Sequence, residues 1–220
     1  MRVIAGRARR AALVAPAGAK TRPTSDRAKE GLFNLLGPAV GGAAFLDLYC
    51  GSGQIGIEAL SRGAKEAVFV DDCPDAARAV LRNLEKTRFG FDFNSAGSAN
   101  SGRQDGPARA EVLLRSVSDA VDCLAAQGRR FDVVFLDPPF GSGFSRIIET
   151  IRQVESRGLL GGGARIVAEA GARAPKTADR KARAAEPEPE SKLVDNLPRS
   201  LYLYDKRAYG AARFFLIAAV

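Results

Sequence analysis

Short apolar runs alternate with helical patterns along most of the chain. The first run, Ala43-Ala44-Phe45-Leu46, stops at Asp47 and is followed by a glycine turn, Cys50-Gly51-Ser52-Gly53. A helical stretch from Ile55 to Arg62 comes next and closes at Gly63. Ala67-Val68-Phe69-Val70 reads as a second buried strand ending in Asp71-Asp72, and Pro74 opens a helix that continues from Ala76 to Lys86. Val112-Leu113-Leu114 precedes a helix around Ala120 to Ala126. Phe131 to Leu136 is a fourth strand, stopping abruptly at Asp137-Pro138-Pro139-Phe140. A helix near Ile147 to Val154 leads to Arg165-Ile166-Val167-Ala168, and two late strands, Leu201 to Tyr204 and Ala212 to Ala218, finish the pattern. Apolar strands separated by helices predict an α/β fold, a mainly parallel sheet covered on both faces.

Two stretches break the rhythm. Residues 91–109 are rich in Ser, Gly, Asn and Ala, and residues 171–198 mix Ala, Pro and both charge signs. Both are expected to be mobile surface insertions, since neither holds enough apolar residues to offset the entropy of ordering. At the other end, Val3-Ile4 and Leu13-Val14 flank Gly6-Arg7-Ala8-Arg9-Arg10, the pattern of a short hairpin with a basic tip. Ala28 to Leu36 follows as an amphipathic helix. The expected organisation is therefore a basic hairpin-and-helix extension over 1–36 and one α/β domain over 37–220.

Composition narrows the chemistry. At 220 residues, 46% hydrophobic and 26% charged, the chain has the make-up of one globular domain, and no apolar run has the length of a membrane span. Arginine returns too early for a secretory signal, so a cytoplasmic location is expected. Cys50, Cys73 and Cys123 are an odd set without a CxxC pair, which argues against a disulfide framework and a thiolate metal site. The chain holds no histidine, which excludes imidazole-based catalysis and leaves carboxylates, backbone groups or a cofactor to do the work. The net charge is +8, and residues 1–30 hold eight basic against two acidic side chains, +6 of that total. Arg7, Arg9, Arg10, Arg22 and Arg27 are thus candidates for contacting nucleic-acid phosphates.

Gly51-Ser52-Gly53-Gln54-Ile55-Gly56 matches GxGxxG between a strand and a helix, with Asp71 twenty positions beyond Gly51. Such a loop usually receives a dinucleotide pyrophosphate. Asp47, at the end of the strand before the loop, would repel one and would welcome a cation instead. S-adenosylmethionine fits, having a ribose and adenine, no phosphate, and two positive groups. In that reading Cys50, Gly51, Ser52 and Gly53 approach the ligand, Asp47 lies near its methionine end, and Asp71 takes the ribose diol, with adjacent Asp72 open as an alternative. Asp119, after the third strand, is placed to reach the adenine amine or, equally, to cap a helix.

Asp137-Pro138-Pro139-Phe140 is the most specific motif. Two prolines ending a buried strand hold the backbone extended and leave carbonyl acceptors at the carboxyl edge of the sheet. Asp137 and the Pro138 carbonyl can accept both hydrogens of an exocyclic amine, and Phe140 offers a face for a planar ring.

Asp47 to Gly53, together with Asp137 to Phe140, resembles the class I S-adenosylmethionine-dependent amino methyltransferases. Arg2-Val3-Ile4-Ala5-Gly6, Thr21-Arg22-Pro23-Thr24, Asp26-Arg27, Leu32-Phe33-Asn34, Glu58 to Ala64 and Tyr209-Gly210 are similar to the bacterial 16S rRNA (guanine-N2)-methyltransferase family of the RsmD type. That resemblance implies a Rossmann-like, mainly parallel seven-stranded sheet and transfer of a methyl group to guanine N2. The implied substrate is 16S rRNA within a 30S subunit or an assembly intermediate, and the enzyme is expected to be monomeric and metal-free. A DNA adenine-N6 or protein glutamine methyltransferase would use a related tetrad. An NAD-dependent oxidoreductase explains the glycines but neither Asp47 nor the tetrad. A non-catalytic RNA-binding assembly factor explains only the charge.

Overall fold

In a computed structural model, residues 1–17, 24–95, 98–101, 108–139, 143–170 and 190–219 are described. The amino-terminal arm folds back on itself. Val3 N donates to the Ala11 carbonyl, Arg10 N to Val3 and Leu13 N to Met1, each at 2.9–3.0 Å, and the turn is made by Gly6 and Arg10 at positive φ. Val3 and Leu13 point inward and are buried, while Arg9 and Arg10 stay exposed at the tip. Helix α1 (Asp26–Leu36) begins where Ser25 Oγ accepts from Ala28 N, and a 3-10 turn (Gly37–Val40) leads from it into the sheet.

The remaining elements are β1 (Ala44–Leu48), α2 (Gln54–Ser61), β2 (Glu66–Asp71), α3 (Pro74–Thr87), β3 (Gly90–Ser95), β4 (Ser98–Ser101), β5 (Arg109–Leu114) and α4 (Val117–Ala126). They continue as β6 (Phe131–Leu136), α5 (Gly143–Ser156), β7 (Leu160–Glu169), α6 (Ser191–Val194), β8 (Leu201–Tyr209) and β9 (Ala212–Ala219). The sheet order is β4-β3-β5-β2-β1-β6-β7-β9-β8, with β4, β8 and β9 entering antiparallel pairings. From β1 the chain moves outward to β2 and β5 on one side, then returns to lay β6 and β7 on the other. The reversal falls between β1 and β6, the place where open α/β sheets bind ligands.

Among the described residues the sheet has nine strands, two more than the expected seven. The extra pair is β3 and β4, lying in the stretch expected to be an insertion. Phe91 and Phe93 alternate along β3 and pack half-buried against the core, which supplies the apolar contact that a Ser, Gly and Asn composition conceals. The second expected insertion also departs at its end: α6 buries Leu193 completely against the core. Residues 171–189 of it lie outside the described residues.

Strand alternation sorts the core into two layers. Phe45, Ala67, Phe69, Val133, Phe135 and Val167 face α1, α2, α3 and the arm, whereas Leu46, Val68, Val134 and Ile166 face the layer holding α4, α5 and α6. Tyr209 packs so closely on α1 that a Cβ on Gly31 would stand 2.2 Å from its ring. No helix among the described residues is long and apolar enough to cross a membrane.

The arm is held by a buried carboxylate. Glu58 of α2 accepts from Ile4 N at 2.7 Å, Ala5 N at 3.0 Å and Arg62 Nε at 2.8 Å, with Lys29 Nζ of α1 at 3.7 Å. Lys29 is fully buried, donates to the Arg2 carbonyl, and is held below the ordinary lysine range by burial, against the pull of Glu58. Glu58→Ala strands this ammonium and two amides, so it should cost about 3–5 kcal/mol, read by denaturant unfolding. Hydrogen exchange at Ile4 and Ala5 should accelerate beyond the global change. A loss below about 1 kcal/mol would show that the buried network does not hold the arm.

Candidate active site

Four carboxylates end four neighbouring strands on one face of the sheet. Phe45, Phe69, Phe135 and Val167 all face the α2 layer, and the alternation carries Asp47, Asp71, Asp137 and Glu169 to the same side. Asp47 is within β1, Asp71 ends β2, Asp137 follows β6, and Glu169 ends β7. The four thus straddle the reversal between β1 and β6.

Asp47 is 1% exposed, and its Oδ2 accepts from Gly56 N at 2.9 Å. It therefore caps the first turn of α2 from within the sheet. The approach requires glycine, since a Cβ at residue 56 would come within 2.4 Å of the Phe69 ring. Burial pushes the Asp47 carboxyl up to about 8, aided by the charge of Asp71 and opposed by the Gly56 amide. The turn above it takes a left-handed path at Tyr49 (φ 60°), Gly51 (φ 54°) and Gly53 (φ 71°). Tyr49 tolerates this at a cost of about 1–2 kcal/mol while its hydroxyl shares a hydrogen bond with Thr150 Oγ1 at 3.0 Å.

Asp71 takes part in the same turn. Its Oδ2 accepts from Gly51 N at 2.9 Å and its Oδ1 from Cys73 N at 3.0 Å. Burial raises its carboxyl, those two amides oppose the shift, and Asp72 adds to it. Asp72 itself is exposed, so Asp71 is the member of the pair that touches the glycine loop. Cys50 remains a neutral thiol, raised well above its ordinary value first by burial and then by Asp47 and Asp71. The Ser52 carbonyl accepts from Asn83 Nδ2 at 2.9 Å, and the same amide clasps Val14 of the arm through both its oxygen and its nitrogen.

Asp137 N reaches the Leu48 carbonyl at 3.4 Å, carrying the hydrogen-bonded seam with β1 into the tetrad. Its carboxyl is driven well above the usual range by burial, then by Glu169 and Asp47. Pro138 is buried and Pro139 exposed; Phe140 lies outside the described residues. Glu169, which sequence reasoning passed over, is 8% exposed and accepts from Thr24 Oγ1 at 3.1 Å. Burial moves it up to about 7, with the Thr24 hydroxyl opposing. Its signal was available: like Asp47, Asp71 and Asp137, it is an acid closing a buried apolar run.

Asp119 is set apart from this cluster in the first turn of α4. Ser116 Oγ accepts from Asp119 N at 3.1 Å and donates to its Oδ2 at 2.7 Å, a capping arrangement. Of the basic candidates, Arg7 stacks over the Phe89 ring at 4.5 Å, Arg9, Arg10 and Arg27 are exposed, and Arg22 lies outside the described residues. Among the described residues no cluster of three or more His, Cys, Asp or Glu is placed to hold a metal ion.

Comparison with known proteins identifies the chain's family. The family described as Conserved hypothetical protein 95 matches residues 1–184. Ribosomal RNA small subunit methyltransferase D of Escherichia coli K12 is 34% identical over 169 residues, spanning 77% of this chain and 74% of that protein. The protein of the same name from Haemophilus influenzae is 36% identical over 140 residues, 64% of each chain. Among solved structures, yhhF of Escherichia coli superposes with a TM-score of 0.70 at 26% identity, covering 100% of this chain and 97% of that one. The chain belongs to the Conserved hypothetical protein 95 family, that of the ribosomal RNA small subunit methyltransferases D.

Proposed function

We propose that the protein transfers a methyl group from S-adenosylmethionine to the exocyclic N2 amine of a guanine in 16S rRNA, presented in a 30S subunit or an assembly intermediate. The observation that carries this reading is the row of carboxylates across the β1/β6 reversal, beside the Pro138 carbonyl and in a chain without histidine. A carboxyl-lined edge with no cationic hydrogen-bond partner among the described residues suits a ligand that is itself positive, draws out the ionised forms and carries no phosphate. Asp47, Cys50, Gly51, Ser52, Gly53 and Asp71 would hold that ligand, with Asp119 near its adenine. S-adenosylmethionine supplies an electrophilic methyl group on a sulfonium.

The protein's own groups deal with the amine. A guanine amine is a weak nucleophile because its lone pair is delocalised into the ring. Asp137 and the Pro138 carbonyl accept its two hydrogens and favour the pyramidal form, stabilising the transition state more than the ground state. Phe140, the last member of the tetrad, offers the stacking face. As the nitrogen becomes positive, its proton passes to Asp137 or to water. Once ionised, an Asp137 carboxylate raised by burial and by Glu169 is a stronger base than an exposed one. Arg9, Arg10 and Arg27, with Arg7 and Arg22, hold rRNA phosphates.

Asp137→Ala should leave S-adenosylmethionine affinity unchanged by calorimetry while methyl transfer to 30S subunits falls by about 10²- to 10³-fold. Near-normal turnover would remove Asp137 from the reaction. For Asp47 the sign follows from its raised carboxyl: below about 8 it keeps a proton, and an incoming cation favours the ionised form. Binding should therefore release a proton at pH 7, seen by calorimetry in buffers of different ionisation enthalpy, and should tighten as pH rises toward about 8. Asp47→Asn should abolish the release and weaken binding; an unchanged release would show that another group titrates. Neutralising Arg9 and Arg10 together should weaken RNA binding and lower its salt slope by about 1–2, with cofactor affinity intact. A slope equal to wild type would place the phosphate contacts elsewhere.

A further inference from the structure

We propose that Glu169 accepts the N1–H of the target base and so selects guanine, an assignment that rests on the guanine-N2 reading above. β6 and β7 run parallel with Leu136 opposite Ala168, so the next pair in register is Asp137 and Glu169. Adjacent strands lie about 4.8 Å apart, a spacing on the scale of one edge of a base. Both side chains project to the α2 face, and their charges act on each other.

Glu169 is not explained by packing. It is 8% exposed, and among the described residues its one hydrogen bond comes from Thr24 Oγ1 to Oε2. No lysine or arginine among the described residues pairs with it, and Oε1 accepts nothing there. A buried carboxyl that meets no counter-charge among the described residues has acceptor capacity that a donor on the substrate can use.

The Watson–Crick edges of the bases differ in a way this pair can read. Guanine presents two donors side by side, N1–H and the N2 amine. Adenine presents its amine beside the N1 lone pair, and cytosine its amine beside the N3 lone pair. In their ionised forms, which an incoming pair of donors favours over the protonated ones, Asp137 and Glu169 are two acceptors in a row. They match guanine, and set a carboxylate lone pair against the ring nitrogen of adenine or cytosine. Selection thus comes from a repulsive element as well as an attractive one. Thr24 occupies Oε2 and leaves Oε1 for the base. Glu169 neither attacks nor takes the transferred group; it would be a specificity contact beside the reacting nitrogen.

The test compares guanine with 2-aminopurine, which keeps the 2-amino group, replaces N1–H by a lone pair and lacks O6, so the change in preference on substituting Glu169 is the decisive reading. After the methylated position is mapped with labelled S-adenosylmethionine, 30S particles are reconstituted from 16S rRNA carrying either base there. The wild-type protein should prefer guanine by about 10- to 100-fold. Glu169→Gln, whose amide can donate to a ring nitrogen, should lose a similar factor on guanine while holding or gaining on 2-aminopurine, so the preference collapses or inverts. Equal losses on both substrates would reduce Glu169 to a structural role. Equal wild-type rates on the two bases would overturn the assignment without any variant, so a poorly folded Glu169→Gln does not shelter it. If wild-type protein labels 16S rRNA at a group other than guanine N2, the underlying reading fails and takes this one with it, an outcome distinct from both.

Discussion

Glu58 is the contact on which the rest of the molecule depends. It lies on α2, the helix that begins at the glycine loop, and it gathers two amides of the arm, the Arg62 side chain and the Lys29 ammonium. Lys29 in turn holds the Arg2 carbonyl from α1. One carboxylate therefore joins three segments that meet nowhere along the sequence. The desolvation of both charges is offset because each finds several partners, and removal of any one would leave the others buried without compensation. Arm, α1 and α2 consequently behave as one body, and the basic tip is carried at a set distance from the strand edges.

The edge itself runs against stability. Burial raises Asp47, Asp71, Asp137 and Glu169, so the folded protein retains protons that the unfolded chain has already released. For such groups stability falls as pH climbs from the ordinary carboxyl range toward their folded values, reaching about 7 for Glu169 and about 8 for Asp47. Asp47 and Asp71 hold backbone amides of the glycine turn and the helix after it, whereas Glu169 meets only the Thr24 hydroxyl among the described residues. A positive ligand and the donor edge of a base would relieve the strain that these acids impose on the fold, which is how a site converts folding energy into affinity.

Much of this was legible beforehand because it is written in local pattern. Strand and helix alternation, the glycine turn after Asp47 and the Asp137 tetrad are each contained in a few consecutive residues. What escaped was long-range or disguised. Glu169 ends its strand between two alanines, outside any glycine-rich or proline motif of the kind that marks Asp47 and Asp137. The alternation of Phe91 and Phe93 was masked by small polar neighbours, so two strands were read as an insertion. Asp119 was open between two roles, and it shares two hydrogen bonds with Ser116 at the start of α4. The meeting of Lys29 and Glu58 depends on how α1 crosses α2, which no spacing rule contains.

Asn83 makes a second crossing of this kind. Its side-chain amide grips Val14 of the arm through both ends and also holds the Ser52 carbonyl in the glycine loop. Val3, Leu13, Leu32 and Phe33 share one apolar layer with Phe45 and Phe69 of the sheet. The first thirty-six residues are thus no detachable handle for RNA. A chain cut before residue 37 would keep every loop residue assigned to the cofactor yet lose the wall on which that loop leans, so the loop's shape is a property of both segments together.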